Sequence, residues 1–293
     1  MIVQSYNLAT RIITHNSMNK ILLPTDFSDN TWSSIVYALK LFKDEPCKFF
    51  LLHTKDIDVT SLPHLSTDID ESIREKPVQE LNDLKEQLEM SDPNANHEFY
   101  VVFKMDGLAS AVKTVVAEFD IDLVVMATRG ASGAKGFFFG SNTIKVVNRL
   151  KDCPVLIVPE EFEYVIPQQI AFPSDFHRFY KNHEIGPLTD LAELHNSAIR
   201  IAHINTEKML NEVQEYNLGS LQEYLGEFEV SVHWIPDFAK KAEGINVLIE
   251  ELDIDILVMV KYGHSLIERI IKEPVIKKIG FHPVIPFLVI PGS

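Results

Sequence analysis

Apolar residues recur along this chain in two alternating rhythms. Near-continuous apolar runs fall at Ile21–Leu23, Phe49–Leu52, Phe99–Phe103, Leu123–Ala127 and Pro154–Val158. Between them, apolar positions recur at helical spacing: Trp32, Ile35, Val36, Leu39 and Phe42, then Val78, Leu81, Leu84 and Leu88, then Leu108, Val112, Val115, Val116 and Phe119. The short runs read as strands buried on both faces, and the spaced positions read as one-sided helices. Strands alternating with helices specify an α/β fold with a parallel sheet covered on both sides. Asp26 or Ser28 supplies the N-cap of the first helix. Pro77 fits the first turn of the second, so residues 55–76, acidic and proline-containing, read as a loop.

The same order then starts again. QQIAFPSDFH (168–177) echoes NKILLPTDFS (19–28), and IRIAHIN around His203 repeats FFLLHTK around His53. Val230, Val232 and Trp234 repeat the third strand, and Ala242 to Leu252 repeats the helix that follows it. IDILVMV (254–260) repeats IDLVVMA (121–127), and IPFLVIP (285–291) repeats CPVLIVP (153–159). Landmarks matching in one order identify a tandem duplication, joined by an acidic linker from Glu160 to Pro167.

The stretch from Leu123 to Glu160 carries the chemistry. A buried strand passes into a loop punctuated by Gly130, Gly133, Gly136 and Gly140, and Ser141, Asn142 and Thr143 open the next helix. Glycines let backbone approach an anion, and the N–H groups and dipole of a helix N-terminus favour phosphate. A turn that merely reverses the chain is the alternative. Neither the P-loop lysine nor G-x-G-x-x-G is present. Gly130, nine residues and then Gly140-Ser141 resembles the G-x-x-G-x9-G-[S/T] signature of ATP-binding universal stress proteins, with Ala127 at its first position. The closing CPVLIVP, in which Val155 and Ile157 alternate with Leu156 and Val158, adds to the resemblance.

The resemblance implies two repeated domains, each a five-stranded parallel sheet of order 3-2-1-4-5 with helices on both faces, universal stress protein-like and adenine nucleotide alpha hydrolase-like. Residues 1–17 form an N-terminal extension, expected to be poorly ordered, and Met18 is a candidate natural start. The first domain covers residues 18–160 and the second residues 161–293. The implied ligand is ATP or another adenine nucleotide, with Mg as a possible companion. Its implied site comprises Pro24, Thr25, Asp26, Thr54, Ala127, Arg129, Gly130, Gly133, Gly140, Ser141 and Asn142. Family members set the counterpart of Asp26 by the adenosine, and the backbone at the counterpart of Thr54 against adenine. Independently of the family, the ends of the first and fourth strands flank the topological switch where such sheets bind ligands.

Other readings compete at several positions. Arg129 and Lys135 meet phosphate oxygens or are solvated loop charges. His53 and His203, at equivalent strand ends, read as satisfied structural histidines, and Asp68, Asp70, Glu71 and Glu75 as a solvated loop. In the second half Gly263 survives, but ungapped counting sets Glu273-Pro274 where Gly140-Ser141 stood. A carboxylate repels phosphate and proline lacks an N–H, so that site reads as degenerate.

Charge and composition narrow the partners. A net charge of −15 without a basic stripe argues against nucleic acid. No apolar stretch reaches membrane-spanning length. Cys47 and Cys153, each beside an apolar run, read as reduced core thiols of a cytoplasmic protein. The expectation is a nucleotide-binding regulatory or protective stress protein, not an enzyme. A weak ATPase and a nucleotide-independent interaction module are the alternatives. The family pairs its last strands about a two-fold axis, which implies an intramolecular pseudo-dimer here, with a homodimer through other surfaces left open.

Overall fold

The computed structural model describes residues 19–56, 67–91, 93–128, 140–160, 162–204, 209–235, 241–262 and 285–292. The first half runs β1 (Asn19–Pro24), α1 (Asp29–Leu41), β2 (Cys47–Thr54), α2 (Thr67–Ser91), β3 (His97–Lys104), α3 (Leu108–Phe119), β4 (Leu123–Ala127), α4 (Ser141–Arg149) and β5 (Val155–Val158). The second repeats the plan with β6 (Gln169–Pro173), α5 (Asn182–His195), β7 (Ala198–Ile204), α6 (Glu212–Tyr224), β8 (Val230–Ile235), α7 (Lys241–Glu251), β9 (Ile256–Lys261) and β10 (Phe287–Pro291).

Each half has strand order 3-2-1-4-5, and the two sheets are one. The full order is β3-β2-β1-β4-β5-β10-β9-β6-β7-β8. Within each half neighbouring strands are parallel, whereas β5 and β10 run antiparallel, with Phe287 opposite Ile157, Leu288 opposite Leu156 and Val289 opposite Val155. A pseudo-two-fold axis therefore passes between Leu156 and Leu288. Strand alternation sorts the core into two layers that both cross this seam. Leu156 and Leu288 join Ile21, Phe49, Val125 and Phe172 on one face, and Val155, Ile157, Phe287 and Val289 join Leu22, Phe50, Val124 and Leu257 on the other. Burying Leu156 and Leu288 contributes about 1.5–3 kcal/mol each.

Two sequence expectations are corrected. The second helix begins at Thr67, and Pro77 lies in its interior. Proline costs one ladder bond but its φ is helical, and Arg74, Glu75, Lys76, Gln79 and Glu80 around it are strong helix formers. Asp68, Asp70, Glu71 and Glu75 thus belong to a helix, not a loop. On α1, Trp32, Val36 and Phe42 are only half-buried, while Thr31, Ser34, Tyr37 and Leu41 are buried beside Ile35 and Leu39. The buried face is wider than periodicity implied because the linker also packs on it. Phe162 and Tyr164 meet the Tyr37 ring edge-on at 5.9 and 5.4 Å.

Cys47 and Cys153 are free and buried. Burial, the largest cause for each, pushes both thiols up to about 12, so neither is a thiolate at neutral pH. No described helix is long and apolar enough to cross a membrane. The extension 1–17 lies outside the described residues.

Candidate functional site

The chain leaves β1 through a turn made of its own side chains. Thr25 N–H donates to Leu52 O at 2.8 Å, extending the β1–β2 ladder by one step. The Thr25 hydroxyl then accepts Phe27 N–H at 3.0 Å. Asp26 Oδ1 accepts Ser28 N–H at 3.1 Å and the Ser28 hydroxyl at 2.6 Å. Between the sequence's two N-cap candidates the structure selects Ser28, whose Oγ accepts from Thr31 N. Asp26, exposed, holds that hydroxyl in place. Phe27 adopts a left-handed φ of 62°, which costs a β-carbon residue about 1–2 kcal/mol. His53, at the carboxyl end of β2, donates Nδ1–H to Thr25 O at 2.8 Å and packs its ring 4.7 Å from that of Phe27. Thr54 follows, half-buried, paired with Lys104 on β3.

The neighbouring wall comes from β4 and α4. Ala127 and Thr128 are buried at the end of β4, and Thr128 O accepts Gly140 N–H at 2.6 Å, which closes the base of the loop. Gly140 is the N-cap of α4, extended at φ −60° and ψ 151°. It offers no capping side chain, and the first turn of α4 carries no carboxylate, so the helix begins with backbone N–H groups and an undiminished dipole. Ser141 and Asn142 are exposed there. Thr143, 2 % exposed, donates its hydroxyl to Ala127 O and Thr128 O at 3.1 Å each. That tie fixes the helix start against the strand end. Pro24, Thr25, Asp26, Ala127, Gly140, Ser141 and Asn142 thus border the switch between the adjacent strands β1 and β4, with Thr54 one strand away. Arg129, Gly130, Gly133 and Lys135 lie outside the described residues.

The second half copies the turn and then fills the crevice. Ser174, Asp175 and Phe176 reproduce Thr25, Asp26 and Phe27: Ser174 Oγ accepts Phe176 N–H at 3.0 Å, Phe176 has φ 55°, and His203 bonds Ser174 O at 2.9 Å. Yet Phe176 is fully buried where Phe27 is 37 % exposed. Tyr262, just past β9, donates its hydroxyl to Asp175 Oδ1 at 3.1 Å. The Arg178 guanidinium stacks over Tyr262 at 4.6 Å and pairs with the wholly buried Glu184. Burial, first, and then the nearby Tyr180 and Asp175 push the Tyr262 hydroxyl up, keeping it a donor. Gly263, Glu273 and Pro274 lie outside the described residues.

Comparison with known proteins follows the same division. Residues 18–159 match the model of the universal stress protein family. Residues 18–159 are thus a universal stress protein family domain. A universal stress protein of Bacillus subtilis is 27 % identical over 150 residues, which is 48 % of this chain and 98 % of the relative. One from Methanocaldococcus jannaschii is 25 % identical over 169 residues, 54 % of this chain and 93 % of the relative. Both relatives are therefore much shorter than this chain, which covers nearly the whole of each. Among solved structures, a universal stress protein from Archaeoglobus fulgidus superposes with a TM-score of 0.66 at 18 % identity, covering 94 % of this chain and 97 % of that one. This likeness of fold spans both halves of the chain, and the family domain of the first half supports a stress-response role.

Three residues at the two crevices escaped the sequence reading. In sequence Thr143 marks only a helix start, although a hydroxyl on the Thr143, Val146, Val147 stripe signals a buried polar partner. Phe27 stands in the echoed string after β1, where nothing in the sequence marks an exposed ring. Tyr262 stands where Arg129 stands in the first half, and the change from cation to phenol was the available sign that this crevice differs.

Proposed function

We propose that the first half binds ATP or a related adenine nucleotide, in the crevice between the ends of β1 and β4, as a cytoplasmic regulatory or protective stress protein. The observation carrying this reading is the contrast between the two crevices. One presents an uncapped helix N-terminus, the exposed Ser141 and Asn142 and an exposed Phe27; its twin is packed with Phe176, Tyr262 and Arg178. Phosphate oxygens meet the first-turn N–H groups of α4, where dipole and hydrogen bonds act together. Phe27 offers a ring face, and Thr54 a backbone edge, for a base. Asp26 stands at the strand end for the ribose, and Mg bound to the phosphates is compatible with the exposed hydroxyl of Ser141. The reaction class is binding without turnover, and the second half is a structural partner.

Calorimetric titration with ATP, ADP and AMP tests this, together with product analysis of the same samples. Saturable binding that disappears in Gly140→Val, with the fold intact, is the expected result. Unchanged affinity in that variant removes the assignment, and accumulation of ADP during titration favours the weak ATPase instead.

A further inference from the structure

The seam between the halves holds a second cavity, at the amino ends of β1 and β4 and so at the opposite end of the sheet from the crevice above. Here α1 and α5 meet on one face, and His195 Nε2 donates to Leu41 O at 2.9 Å. The pseudo-two-fold axis exchanges two clefts beside this contact. Tyr37 and Leu191 are counterparts, each five residues before its helix C-cap, Phe42 or Asn196. Asp122 and Asp255 are counterparts too. Asp122 Oδ2 accepts Lys20 N–H at 2.8 Å and Asp255 Oδ2 accepts Gln169 N–H at 2.9 Å.

One cleft is filled from within. The linker seats Phe162 and Tyr164 against Tyr37, and Lys40 lies over the Tyr164 ring at 5.9 Å. The two linker rings occupy it, and the cation over Tyr164 comes from the α1 wall. The twin is open, with a volume of about 490 Å³. Its walls include Leu41, Leu156, Leu191, Leu194 and Leu288. Its rim carries Glu45, Asp122, Asp152, Asp190 and Glu193, and among the described residues no lysine or arginine lines it. A cavity of this size suits a compact organic ligand, since such sites run to several hundred Å³ and are mostly apolar with a few polar groups.

We propose that this cleft binds a small organic cation with a flat apolar body, an aromatic amine, its ring on the leucine walls and its ammonium among the rim carboxylates. Among the described residues no three carboxylate, histidine or cysteine side chains come together to hold a metal ion. The five carboxylates exclude an anion. The filled twin shows that a cleft of this shape takes aromatic rings, and the carboxylate rim of the open one sets the sign of the charge its ligand carries.

The test is calorimetry on the full chain with tryptamine, with indole-3-propionate as its anionic counterpart and putrescine as a cation lacking the ring. Saturable tryptamine binding is expected, at least about tenfold tighter than either control, a gap equal to about 1.4 kcal/mol. Asp152→Lys/Glu193→Lys, which changes two exposed rim residues, should weaken tryptamine at least about tenfold by replacing attraction with repulsion while leaving the unfolding midpoint in place. Equal affinity for the anion, an unaffected double variant, or no saturable tryptamine binding overturns the proposal. So does binding that vanishes as protein concentration rises, which marks a second copy of the chain as the occupant.

Discussion

Replacing Thr143 with valine deletes one hydroxyl at nearly constant shape and separates two roles of the α4 start. The hydroxyl is 2 % exposed and lies 3.1 Å from both Ala127 O and Thr128 O. A buried acceptor deprived of its donor costs about 1–3 kcal/mol. Thr128 O keeps the Gly140 N–H at 2.6 Å, so the loss falls mainly on Ala127 O and the expected destabilisation is near the lower end, about 1–1.5 kcal/mol. Urea unfolding measures it as a lower midpoint at unchanged slope. Ligand binding adds the second readout. If the hydroxyl holds the phosphate-facing turn in register, ATP affinity should fall at least about tenfold, or about 1.4 kcal/mol. Thr143→Ser, which keeps the donor, should restore most of that affinity despite the missing methyl. A Thr143→Val protein that loses stability but binds ATP like the parent refutes the positioning role. A protein unchanged in both measurements refutes the hydrogen bond itself.

Further outcomes are expected elsewhere. Titration should give one nucleotide per chain, because Tyr262 and Phe176 fill the second crevice; two equivalent sites would show that those side chains yield. Ile157→Pro removes a donor that faces β10, since Pro154 O and Val158 O on either side accept from β4, and should cost about 3 kcal/mol or more, dividing one cooperative unfolding transition into two; a single transition at an unchanged midpoint would contradict this. His195 is held below its usual pKa, chiefly by burial and against the Leu41 hydrogen bond that raises it. The unfolded chain therefore binds this proton more readily, so the contribution is complete above about pH 6.5 and declines as the pH falls below it. His195→Gln keeps a donor for Leu41 O and should flatten that part of the stability profile; an unaltered acid limb in denaturant titrations would show that His195 does not set it.

Much of the fold was legible because its signals are local. α3 (Leu108–Phe119) and β4 (Leu123–Ala127) coincide with their periodic patterns, since each is bounded by a turn and carries an unambiguous period. The start of α2 was hidden because proline is a reliable breaker only where no strong helix formers surround it. The linker reads as an acidic connector because charge and proline dominate it, while the packing of its two rings depends on α1 being beside them. The turn after β1 was legible as an N-cap region, but whether Asp26 or Ser28 caps depended on which oxygen reaches Thr31 N. Thr143 and Tyr262 stayed hidden for a related reason: their partners lie across the fold, where spacing along the chain carries no information.

The antiparallel union of β5 and β10 inside one polypeptide has an evolutionary consequence. In a two-fold dimer of identical chains every substitution appears twice, once in each protomer, so no crevice can change without its mate. A duplicated chain is released from that constraint: the seam keeps its geometry while each side of the axis mutates alone. Phe27 stays exposed as Phe176 sinks into the core, and Tyr262 stands at the sequence position that matches Arg129. One copy can retain a ligand site under selection while the other exchanges it for internal packing, and the fused sheet holds the two at a fixed ratio of one to one.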